Sequence, residues 1–99
     1  MSEYLQVWRA RVAQDNVERL LAIRPAAIAE AQRLCPELLA ADLVRLGEGS
    51  WLDVLRWSTA DGEELLMRHA EQFDAVAKMH ALLEDAEQVG RGEIVTPAG

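Results

Sequence analysis

Residues 49–57, reading Gly-Ser-Trp-Leu-Asp-Val-Leu-Arg-Trp, constrain the fold of this chain more than any other stretch. Aromatic and aliphatic side chains at this density suit a pleated strand, and a period of two sorts them into two faces. Trp51, Asp53, Leu55 and Trp57 share one face; Leu52, Val54 and Arg56 share the other. Since both faces carry large apolar groups, the strand is predicted to be central and covered on both sides. Asp53 then points into one of the two layers, and an inward acid needs a local salt bridge or a role in a pocket.

The remaining elements follow from periodicity. Residues 4–12 alternate as a first strand, with Tyr4, Gln6, Trp8, Ala10 and Val12 on one face and Leu5, Val7, Arg9 and Arg11 on the other. Gln14, Asp15 and Asn16 form a turn able to cap the helix that follows. In that helix Val17, Leu20, Leu21, Arg24, Ile28, Ala31 and Cys35 fall on one stripe. Pro25 predicts a kink near residues 21–24 or two short helices, and Pro36 ends the element. Residues 38–46 read as a second strand. The glycine-containing loop at 47–50 joins it to the central strand as a hairpin.

After the central strand, Asp61 and Glu64 match a capping box, and a second helix is predicted from there to about Glu84. At 100° per residue, Leu65, Leu66, His69, Phe73, Val76, His80 and Leu83 share one stripe, which places both histidines on the buried face. The histidines are separated by three turns, roughly 16 Å, too far to hold one metal ion together. A last strand is expected over residues 88–96, with a bulge or close backbone contact at Gly90 and Gly92 and Pro97 as its stop.

The order strand, helix, strand, strand, helix, strand makes two strand-helix-strand units joined by a hairpin, the ferredoxin-like arrangement. Right-handed crossovers put both helices on one face of a four-stranded antiparallel sheet. Leu5, Val7, Leu52 and Val54 are left on the uncovered face, so a homodimer through that face is expected. The 99 residues suffice for one domain spanning 1–99. At 51% hydrophobic and 27% charged residues the chain is globular. A net charge of −7 with dispersed arginines argues against a nucleic-acid partner. Apolar runs are too short to span a membrane and no signal peptide is visible, which points to the cytoplasm. Cys35 has no partner for a disulfide; it is either a buried hydrophobe or a nucleophile.

From Cys35, Pro36, Glu37, Leu38 and Leu39, through Leu43, Val44, Arg45 and Leu46, to residues 51–57 and the capped helix carrying Phe73, the chain resembles the antibiotic biosynthesis monooxygenase family of dimeric α+β barrels. The resemblance covers nearly the whole chain and rests on layout and on the Arg-Trp strand end. It implies a pocket between sheet and helices, with Trp57 at the position of a pocket-lining tryptophan. Period two sends Trp51, Asp53 and Leu55 to the same side, and Trp8 should join them. A flat aromatic substrate could stack on these indoles while Asp53 or a histidine takes a phenolic proton, and the anion passes an electron to oxygen with no metal or cofactor. The expected catalytic residues are Asp53 and His80, with Trp8, Trp57, His69 and Phe73 lining the substrate site; the alternative for Trp8 and Trp57 is that they are core. The haem-degrading branch of the family is disfavoured, because Trp8 and Ala77 stand where it has an asparagine and a histidine. A non-enzymatic binder of small ligands, or a purely structural dimer, is the alternative to a monooxygenase.

Overall fold

The computed structural model describes residues 2–96. Strand β1 (Glu3–Arg11) leads through a 3-10 turn into helix α1 (Val17–Leu34), then come strands β2 (Leu38–Gly47) and β3 (Ser50–Trp57), helices α2 (Gly62–Arg68) and α3 (Ala75–His80), and strand β4 (Glu84–Ile94). The four strands form one antiparallel sheet in the order β2-β3-β1-β4. This is the ferredoxin-like topology that the two strand-helix-strand units imply.

β3 is central, flanked by β1 and β2, and its two faces behave differently. Trp51, Leu55 and Trp57 are buried on the helix side, together with Gln6 and Ala10 of β1. Leu5, Val7, Leu52 and Val54 are only half-buried on the outer side. There β1 pairs Val7 with Gly90 and Leu5 with Gly92, and a Cβ at either glycine would meet open space. The register between β1 and β4 shifts between Val7 and Trp8, so the bulge expected near the glycines is present. β4 begins at Glu84, four residues before its expected start; Pro97, its expected stop, lies outside the described residues. The hairpin turn carries positive φ at Gly47, Glu48 and Gly49. Two glycines relieve that strain where a side chain would be costly.

α1 is one continuous helix with Pro25 inside it, instead of two short ones. Its inward line is Leu20, Arg24, Ala27 and Ala31, all buried and continued by Cys35, whereas Leu21 is 48% exposed. The missing amide of Pro25 falls on an exposed position, so the helix continues past it. No helix among the described residues is long and apolar enough to cross a membrane.

The second helical layer departs most from expectation. The single helix predicted for residues 61–84 is broken: α2 ends at Arg68, a 3-10 turn covers Ala70–Gln72, and α3 starts at Ala75. The Asp61 side chain makes no capping hydrogen bond, and neither does Asn16 before α1. Two cores result. One gathers Val12, Leu20, Ala27, Trp51 and Met79; the other gathers Ala31, Cys35, Leu38, Leu55 and Trp57.

Candidate functional site

The site is built from the helix-facing side of the two central strands. Cross-strand pairing sets Trp8 beside Asp53 on one flank and Leu43 on the other, so the acid projects from an apolar floor toward α1. Arg24 meets it there: Nη1 donates to Oδ2 and Nη2 to Oδ1, both at 2.7 Å, with the side chains 11% and 18% exposed. This two-pronged geometry is the strong form of a charge-assisted pair, and it explains how an acid is tolerated on this face. Met79 Sδ of α3 lies 3.7 Å from the same Nη1, a weak third contact. Across the sheet Arg45 covers the Trp51 ring, its guanidinium carbon 4.6 Å from the ring centroid.

Above this floor lies a cavity of about 90 Å³, bounded by Trp8, Arg24, Asp53, Leu66, Met79 and His80 among others. Beyond it a wider cleft of about 330 Å³ opens between Trp8 and the broken helical layer, with Leu66, Met67, Phe73, Val76 and His80 on its walls. Trp8, Leu66 and His80 border both spaces. They stand between the polar floor and the outer cleft.

Trp8, Asp53 and His80 therefore border the inner cavity, and Trp8, His80 and Phe73 border the outer cleft. His80 is exposed and stands at the end of α3, not on a buried stripe, and His69 is only half-buried. The reason is the break at residues 69–74, which resets the helical phase and makes a wheel drawn through the whole segment invalid. His69 borders neither space; its Nδ1 lies 3.1 Å from Gln72 Oε1 in the local turn. Trp57 is 1% exposed and packs in the second core. Its Nε1 donates to Gln6 Oε1 at 3.1 Å, and Gln6 Nε2 donates to Gln88 Oε1 at 2.9 Å. Gly62 lies so close that a Cβ there would run into the indole. Trp57 borders a different cleft, of about 370 Å³, with Tyr4, Asp61 and Arg91.

The residue missed from sequence is Arg24. Its signal was present, because an arginine on the apolar stripe of the first helix faces the same layer as the inward Asp53. Glu30, also on α1, organises the other wall. Its carboxylate accepts from the backbone amides of Asp74 at 2.9 Å, Ala75 at 3.2 Å and Val76 at 3.0 Å, capping α3 from a neighbouring helix. The Val76 amide above all, with Asp74, Ala75 and nearby Arg33, holds the Glu30 carboxyl below its ordinary range against a smaller opposing effect of burial. This clamp fixes the helix that carries Met79 and His80. Cys35, 1% exposed, has its thiol pushed up by burial and by the charge of Glu37, so it stays protonated and serves as core.

No protein-family model matches the chain, and no curated protein matches it. Solved structures do. A variant of SnoaB, a cofactor-independent oxygenase from Streptomyces nogalater, superposes with a TM-score of 0.68 at 17% identity, covering 100% of this chain and 97% of that one. A candidate antibiotic biosynthesis monooxygenase from Bordetella bronchiseptica gives 0.77 at 16% identity over 97% and 100% of the two chains. A dimeric ferredoxin-like protein from an uncultured marine organism gives 0.70 at 13% identity over 99% and 92%. The fold is thus the ferredoxin-like fold of antibiotic biosynthesis monooxygenase-like proteins. At these identities the likeness defines the fold and leaves the chemistry to the site.

Proposed function

We propose that the protein is a monooxygenase that needs no cofactor and acts on a polycyclic aromatic or quinol-type molecule held between the sheet and the broken helical layer. The observation that carries this reading is that Trp8 and His80 border both an inner cavity floored by the paired Arg24 and Asp53 and an outer cleft walled by Phe73. SnoaB, of the same fold, is described as a cofactor-independent oxygenase. The cleft falls within the ~300–1,000 Å³ range usual for small-ligand sites.

In this mechanism the substrate stacks on Trp8 with Phe73 across the cleft. His80, the titratable group on both walls that is not tied into the ion pair, takes a proton from a reduced ring CH2. The carbanion gives one electron to O2, and the carbon radical and superoxide combine. The peroxide takes back the proton held by His80, and the hydroperoxide then loses water, so that one CH2 and one O2 become one C=O and one H2O. The imidazolium formed on His80 balances the developing negative charge, while Arg24 and Asp53 stay paired and a second lone pair on each Asp53 oxygen can accept from a substrate hydroxyl. Trp57 supports this floor from the adjacent core.

Oxygen uptake with anthrone-like and quinol substrates tests the reading: it should fall at least tenfold in Asp53→Asn and in His80→Ala. Unchanged turnover in both variants removes these residues from the mechanism, and ligand binding with no oxygen uptake in the native protein leaves the non-enzymatic binder.

The outer sheet face completes the proposal. A second copy would cover Leu5, Val7, Leu52 and Val54, and the open glycines opposite Val7 and Leu5 leave room for its side chains. Sedimentation equilibrium should show a dimer at micromolar concentration, and Val54→Asp should dissociate it by placing charges between two apolar faces. An 11.0 kDa species in the native protein would rule the assembly out.

A further inference from the structure

We infer that the cavity accepts an uncharged hydroxylated aromatic molecule and discriminates against its carboxylate counterpart, because the ionic groups on its walls already neutralise one another. This rests on the proposed site and narrows its substrate class. Bordering the inner cavity, Arg24 and Asp53 pair through two 2.7 Å hydrogen bonds. On the outer cleft, Glu63 is the only acid among the described residues, and its carboxylate lies 3.5 Å from Arg91 of β4. Among the described residues bordering the two spaces, His80 alone is an ionisable side chain outside these pairs.

A carboxylate entering this space would lose its hydration and find no free cation, a large desolvation cost without a compensating partner. It would also compete with Asp53 for Arg24, and two carboxylates on one guanidinium repel. A hydroxyl meets the opposite situation. It carries no net charge, and it can donate to the lone pairs that Arg24 leaves unused on Asp53. The paired floor therefore favours a neutral phenol or quinol over an acid of the same shape.

Isothermal titration of the native protein with 2-naphthol and 2-naphthoate near pH 8, where the naphthol is still protonated and the naphthoate ionised, tests this directly. We expect 2-naphthol to bind at least tenfold more tightly. Asp53→Asn leaves Arg24 uncompensated, so 2-naphthoate should gain at least tenfold while 2-naphthol does not. Equal affinities in the native protein overturn the inference and leave the site intact; binding of neither probe overturns the site reading as well. The native comparison stands even if the variant fails to fold.

Discussion

The two helical layers of this small protein solve the same packing problem in opposite ways. α1 runs unbroken from Val17 to Leu34 and lays small side chains, Ala27 and Ala31, flat against the sheet, with Arg24 as its one inward charge. The second layer is cut into α2, a 3-10 turn and α3; it buries only Gly62 and Met79 and exposes Met67 at 72%. A continuous helix seated on small residues approaches the sheet closely and fills the space beneath it. A broken one cannot: the cleft lies on its side, and the cavity lies between it and α1. What the contrast teaches is that α1 supplies the anchor and the polar floor, while the interrupted layer supplies the opening through which a ligand reaches them.

Breaking the anchor should have the largest effect. Arg24→Met leaves Asp53 with no counter-charge on an apolar face and should destabilise the protein by about 3 kcal/mol, the lower end of the range for disrupting a buried pair because both side chains keep some exposure. Urea denaturation measures it. The double variant Arg24→Met, Asp53→Leu should regain most of that loss, since removing both charges removes the desolvation cost. A double variant as unstable as the single one would show that the pair contributes shape and not charge.

A smaller effect is expected where α1 grips the interrupted layer. The folded-state carboxyl of Glu30 titrates below its ordinary range, so the protonated form is disfavoured in the native protein. Its contribution is fully present above the unfolded-state value and is lost as pH falls through the lower folded value. Protection factors at the amides of Asp74, Ala75 and Val76, taken against the base-catalysed intrinsic exchange rate at each pH, should therefore fall on acidification through that window. In Glu30→Gln the protection factors should be low at neutral pH and nearly independent of acidification. If the native protein shows no such dependence, the two layers are held together by Met79 and its apolar neighbours alone.

Much of the architecture could be read locally. Alternation in residues 4–12 and 49–57 assigned Trp51, Leu55 and Trp57 to the buried side, because a side-chain period of two is a property of the extended backbone itself. The order of elements then implied the sheet order, since crossover handedness leaves few alternatives. The inward acid was legible too, as was an arginine on the facing stripe. Their joining was not, because it links residues 29 positions apart through the distance between a helix and a sheet.

The break in the second helix lay further from reach. Residues 61–84 carry an unbroken helical periodicity, and nothing local announces that Glu30, 44 positions earlier, will satisfy the amides of a new helix at Asp74. That one contact changes the phase of all that follows, so His80 emerges at the edge of a cavity where an uninterrupted wheel had buried it. Which face of a strand is apolar is determined by the chain itself. Where a helix stops, and which charges meet, is decided only when the layers pack, because unsatisfied amides and buried charges take whatever partner the assembled fold brings within hydrogen-bonding distance.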